Sequence, residues 1–454
     1  MNSTNKLANS HPDQLVTKWL KNGIIALAIA GLYSIVLVFL RTPALNQLFS
    51  NPGIFKTALV VHVNLSVLVW LMSITAAIWS FSLKDRKFGF FCTKLSLISS
   101  CIMGISPLYE QNPIMNNYIP MLENIVFIVG LSLFGVVMLL LAINTLLDTD
   151  PIKLLLQGRY NMLIQIGAYT TALMFMAVWG CFVLSGFELA KVMEVVPIDV
   201  DFYYELLYWS GGHLLQFIYT QILMVVWIIL FQHLMIKDTK YQGFHLLLLL
   251  ANFFISLPVF VGHIKYEIFT AEFKEFYTNH MKYCAGFAPV LCLLLLSYEA
   301  YFSYRIKCKI TCNTIICSSL VFLSGGFIGL LISGVNTTIP AHYHGSIVGI
   351  SIAFMGFTYN FLQNSGKAWG MKFASAQIYT ITIGQMLHII GLAYAGDYGI
   401  LRKSTNMEMV YKAKLALGLM GSGGLLAIIG GLMFVIICGK NLFFNKDYQI
   451  AEAN

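Results

Sequence analysis

Twelve stretches of mostly apolar residues follow one another through this 454-residue chain, with only short polar breaks between them. A helix crossing a bilayer takes roughly 20 apolar residues. Lipid offers the backbone no hydrogen-bond partner, so such stretches must be helical. The predicted spans are 23–40, 54–82, 92–108, 120–147, 160–184, 202–236, 244–266, 276–304, 311–333, 341–363, 376–397 and 409–438. Pro120 is expected to open the fourth and Pro340 to precede the tenth, in keeping with proline's place at helix starts. Composition agrees: 58% of residues are hydrophobic and 11% charged, where a soluble domain carries about 25% charged. No long polar linker, low-complexity run or internal repeat divides the chain. We expect one all-α integral-membrane domain over 1–454, with 1–22 as an N-terminal segment and 440–454 as a tail.

Charge sets the expected orientation. The net charge of +8 is spread over the loops, which argues for a topology signal rather than a nucleic-acid surface. With the N-terminus in the cytoplasm, about 18 Lys and Arg fall inside, Lys84, Arg86, Lys87, Arg305, Lys307 and Lys309 among them, against about 10 outside. The outside loop 185–201 is acidic through Glu188, Glu194, Asp199 and Asp201. Both termini are therefore expected inside, in a multi-pass protein of a bacterial-type inner membrane. The segment 1–22 lacks the short apolar core of a cleaved signal. The nine cysteines form no Cys-x-x-Cys, which argues against a covalently attached haem.

Within this apolar frame the histidines stand out. His342 and His344 are two residues apart, so on a helix they point about 200° apart. They cannot share one metal, but each can serve a different one. Imidazole is a standard axial haem ligand, and one helix between two haems is the simplest chemistry for the pair. By sequence position, His62 on span 2, His213 on span 6, His263 on span 7 and the pair on span 10 fall at similar depth. Ionisable groups inside a membrane are functional candidates by default. His62 and His344 suit a six-coordinate low-spin haem, and His342 an open, high-spin one. His213 and His263 suit a second metal, copper or iron. His388, alone in span 11, reads as an ordinary core histidine, and Tyr203, Tyr204, Tyr208 and Trp209 as an interfacial belt.

This arrangement resembles subunit I of the haem–copper oxidase superfamily, which includes oxygen reductases and nitric oxide reductases. The resemblance covers nearly the whole chain. Val335-Asn336-Thr337-Thr338-Ile339-Pro340-Ala341-His342-Tyr343-His344 is similar to the family's His-x-His on helix ten, and Trp209-Ser210-Gly211-Gly212-His213 to its helix-six segment. Gly396-Asp397-Tyr398-Gly399-Ile400-Leu401-Arg402-Lys403 is similar to the basic end of helix eleven, which makes Arg402 and Lys403 candidates for haem propionates. The resemblance implies a respiratory-chain oxidoreductase that passes electrons from a low-spin haem to a high-spin haem and non-haem metal, reducing O2 or NO. It also implies a small electron-donor subunit, cytochrome c or a quinol as partner.

The departures are specific. Ile264 stands where the family has a second helix-seven histidine, leaving Glu267 or His280 as a possible extra ligand. Phe217 stands where oxygen reductases have a cross-linked tyrosine, for which Tyr266 is a candidate substitute. The residues after Pro289 show no helix-eight lysine. Two other classes stay open: a homologue that keeps its haems without the second metal, and a secondary transporter. The absence of repeated, interrupted halves argues against the transporter.

Overall fold

The protein is described by a computed structural model covering residues 13–41, 53–157, 161–234, 241–303, 308–400 and 411–444. Twelve helices among these residues are long and apolar enough to cross a membrane, and the protein is an all-α, multi-span membrane protein. In chain order the spans are Gln14–Leu40, Gly53–Trp79, Arg86–Leu108, Ile125–Asp148, Asn161–Met193, Val200–Leu234, Gln242–Lys265, Ala271–Tyr301, Lys309–Leu330, Thr338–Asn364, Met371–Asp397 and Tyr411–Phe444. They are numbered 1 to 12 below.

Several boundaries differ from expectation, each for a local reason. Span 1 begins at Gln14 rather than after Asn22, because the Asp13 carboxylate accepts from the Leu15 and Val16 amides, at 2.9 and 3.2 Å. Such capping satisfies donors that a helix start leaves open. Span 4 begins at Ile125, not Pro120, with the Asn124 side chain accepting from Phe127 N at 2.7 Å. Pro120 instead lies in a hairpin whose strands, β1 (Pro113–Ile114) and β2 (Met121–Leu122), pair antiparallel. Pro340 falls inside the first turn of span 10, where its missing N–H costs nothing. The twelfth span runs on to Phe444, into the expected tail.

Burial separates three helices from the rest. Over an apolar 18-residue stretch, spans 6, 10 and 2 are 94%, 78% and 67% buried, whereas every other span lies between 28% and 50%. These three carry His213, His342 with His344, and His62. The three most enclosed helices among the described residues thus carry four of the histidines expected to hold the cofactors.

Glycine sets how closely the surrounding helices approach. A Cβ on Gly345 would meet the Gly325 backbone, and one on Gly349 would lie 2.7 Å from Phe322 Cα. Spans 9 and 10 therefore cross in near-backbone contact. Gly384 and Gly391 of span 11 meet Gly423, Ala427 and Met420 of span 12 in the same way. In lipid, where apolar side chains gain nothing by leaving one another for acyl tails, such close packing of small residues drives helix association.

Candidate functional site

His62 sits where span 2 loosens: α-helix over Gly53–Val63, a π-helical stretch over Asn64–Val69, then α-helix again from Trp70. Wide turns of this kind occur frequently at functional sites. The freed groups are taken up locally. Asn64 donates to the carbonyls of Val60 and Pro120, at 2.9 and 2.7 Å, and Ser66 donates to His62 O at 2.7 Å. The half-buried His62 ring meets the Ala30 carbonyl of span 1 through Nδ1, at 3.0 Å. A carbonyl only accepts, so Nδ1 carries the proton and Nε2 the lone pair.

His342 repeats the arrangement, with Nδ1 2.8 Å from the Gly325 carbonyl of span 9. This approach requires glycine at 329 as well, since a Cβ there would lie 2.7 Å from His342 Cε1 and nearer still to Nδ1. A ligand imidazole is oriented in this manner, by donating its second nitrogen to a carbonyl or carboxylate.

His62, His342, His344, His213 and His388 line one cavity of about 1990 Å³ running among spans 1, 2, 6, 10, 11 and 12. Ordinary ligand pockets measure roughly 300–1,000 Å³, so this one has room for two large cofactors. Its walls are mainly apolar. The hairpin over 113–124 contributes Met115, Asn116, Asn117, Tyr118 and Pro120 to one side. Span 6 holds that hairpin in place: Asp201 accepts from Met115 N at 3.2 Å, and Glu205 accepts from Asn117 N at 2.9 Å.

The bis-glycine before His213 now has a reason. A Cβ on Gly211 would lie 2.7 Å from Phe182 Cδ1 and nearer still to Cε1, and one on Gly212 would lie 2.7 Å from Tyr118 Cδ1 and nearer still to Cγ. Gly212 thereby lets Tyr118 reach the buried His213, its hydroxyl 2.7 Å from Nε2. His213 Nδ1 is 2.7 Å from the Trp209 carbonyl. Nδ1 therefore donates to Trp209 and Nε2 accepts from Tyr118, so both ring nitrogens are engaged. His263 is similarly placed, with Nδ1 2.9 Å from Glu188 Oε1 and Nε2 3.0 Å from Ser210 Oγ. It packs against the same Tyr277 ring as His213 but does not line the cavity.

Of the other expected site residues, Glu267 is exposed in the turn after span 7. His280 donates through Nε2 to the Ile255 carbonyl at 2.7 Å and stacks on Phe217, ring centres 5.0 Å apart. Neither lines the cavity. Ile264 is 82% exposed, on the outer surface of its helix. Tyr266 packs on Phe276 and also lies off the cavity. Arg402 and Lys403 lie outside the described residues. Among the described residues, no three His, Cys, Asp or Glu side chains converge to hold a metal.

Residues given no ligand role by the sequence also line the cavity. His388 of span 11 places Nδ1 2.9 Å from the Met420 carbonyl of span 12, and its ring centre is 4.8 Å from that of His344. Gln385, one turn earlier, donates to the His344 carbonyl at 3.1 Å. Lys414 stands at the start of span 12 on the same cavity. The spacing of Gln385, His388 and Leu392, three and four residues apart on one face, was the available signal. Tyr118 carried none, because its place follows from how the hairpin folds back.

No family model matches this sequence. It is 45% identical to the "Uncharacterized protein RP382" of Rickettsia prowazekii (strain Madrid E), across 99% of each chain. It is 26% identical to an "Uncharacterized protein" of Aquifex aeolicus (strain VF5), over 77% of this chain and 84% of that one. Through near-complete coverage at this identity, the chain belongs to the family of the Rickettsia prowazekii protein RP382.

Proposed function

We propose that this protein is a haem-bearing oxidoreductase of the bacterial inner membrane, similar in ligand layout to the subunits that reduce O2 or NO. The observation that carries this reading is the shared cavity, with His62 and His342 each locked by a backbone carbonyl into the tautomer whose Nε2 can bind iron. The donor set fits haem: neutral imidazoles from the enclosed helices, apolar walls, and volume for two macrocycles. His62 and His344 would hold one haem and His342 a second, supplying electron transfer and an open position for a diatomic gas. Lys414 offers a cation to a propionate. Both bacterial relatives suit an inner-membrane location, with a small donor subunit, cytochrome c or a quinol delivering electrons.

A second reading has its own support, namely a haem protein without the non-haem metal. The residues present do not fit that metal as they are placed. His213 and His263 each have both nitrogens hydrogen-bonded, and Glu267 and His280 lie off the cavity.

A reduced-minus-oxidised spectrum of the purified protein, with and without CO, tests the first reading. Two haems with one CO-reactive are expected, and the absence of haem bands refutes it. Metal analysis separates the readings: one copper or non-haem iron per two haems supports the terminal reductase, and none supports the second.

A further inference from the structure

We propose that His388 is an axial haem ligand, sharing with His344 the second axial position of the haem that His62 holds. This inference rests on the haem reading above and extends it to a residue with no assigned role. His388 faces the same cavity as His62, His342 and His344. Its Nδ1 donates to the Met420 carbonyl at 2.9 Å, as that of His62 does to Ala30 at 3.0 Å and that of His342 to Gly325 at 2.8 Å. Three histidines on three spans thus carry the second hydrogen bond that fixes a ligand imidazole, each donating to the backbone of a neighbouring span.

Span 12 is shaped to make that contact. A Cβ on Gly423 would strike the His388 backbone nitrogen, and one on Gly424 would lie 3.1 Å from His388 Nδ1. Two adjacent glycines let span 12 lie against His388 closely enough to present the Met420 carbonyl.

The ring geometry then limits what the pair can do. His344 and His388 have ring centres 4.8 Å apart and planes inclined by 73°. Metal–nitrogen bonds of about 2 Å place the centres of two trans imidazoles roughly 6 Å apart. The two rings therefore cannot face each other across one iron. Standing edge to face beside one cavity, they can occupy a single coordination position in turn. The pair gives the haem two alternative ligands, and so two potentials, set by which helix supplies the imidazole.

The test uses the full-length protein with His344→Ala, His388→Ala, His388→Gln and the double variant His344→Ala/His388→Ala. The glutamine keeps a donor toward Met420 and so separates loss of a ligand from loss of packing. Readouts are the oxidised electron paramagnetic resonance spectrum, the low-spin bands, the midpoint potential and CO bound per haem. Each single variant is expected to stay low-spin with a shifted potential. The double variant is expected to turn high-spin, with CO bound per total haem rising about twofold as a second iron opens, and added imidazole is expected to restore the low-spin signal. The inference is overturned if the double variant matches His344→Ala, or if both His388 variants keep the wild-type spectrum and potential. Absence of haem from the wild type would instead overturn the functional reading beneath it.

Discussion

On the haem reading proposed above, replacing Gly329 with alanine should weaken the gas-binding haem without replacing any proposed ligand. An added Cβ would lie 2.7 Å from His342 Cε1 and closer still to Nδ1, against about 3.4 Å for ordinary van der Waals contact. The imidazole must therefore retreat by more than about 0.7 Å, over a third of a metal–nitrogen bond of about 2 Å. Its hydrogen bond to the Gly325 carbonyl, now 2.8 Å, must bend or lengthen with it. Overpacking of this size costs about 1–3 kcal/mol, which falls on the ligand because the ring is the movable partner. At about 1.4 kcal/mol per tenfold, the His342-ligated fraction should drop roughly 5- to 150-fold relative to unligated haem. Gly326 provides the control. It lies one turn away on the same helix, and a Cβ there meets nothing within 4 Å. CO difference spectra at matched haem content read the effect. Gly326→Ala should bind CO as wild type does, and Gly329→Ala should bind measurably less at the His342 haem. Equal CO binding in both variants would refute the argument, because the steric clash would then not reach the iron.

Three further outcomes follow from the same geometry. His62→Ala should remove the sharp low-spin bands while CO binding at the His342 haem survives; low-spin bands that persist would disqualify His62 as a ligand. Tyr118→Phe removes the hydroxyl that occupies His213 Nε2, so copper retained per haem should rise above wild type on metal analysis. A wild type already holding a full equivalent, unchanged by the substitution, would show that Tyr118 does not compete for that nitrogen. His245 and Glu299 form a buried pair between spans 7 and 8, at 2.6 Å. Breaking a buried pair leaves one charge or polar group stranded, so Glu299→Leu should cost about 3–5 kcal/mol in detergent unfolding, and His245→Leu/Glu299→Leu should recover much of that. A double variant less stable than the single would contradict this.

Fold class was legible because the bilayer leaves so few choices. Stretches such as 202–236 and 341–363 are too long and apolar for anything but spanning helices, and the structure places spans there within a few residues. Their ends were less legible, since they depend on caps: Asp13 extends span 1, and Asn124, not Pro120, starts span 4. The spacing of His342 and His344 already implied opposite faces of one helix, and the structure places His62, His342, His344 and His213 on one cavity. Periodicity could not show what the other nitrogen of each ring touches. That Tyr118 folds back onto His213, that Ile264 faces outward, and that His388 joins the cavity against Met420 depend on contacts between residues 32 to 95 positions apart, or on how a short helix is rotated. Helical periodicity is local and can be read along the chain. A ligand set is a meeting of several helices, and its geometry is fixed only when glycines such as Gly212, Gly329 and Gly424 let those helices and loops close to contact.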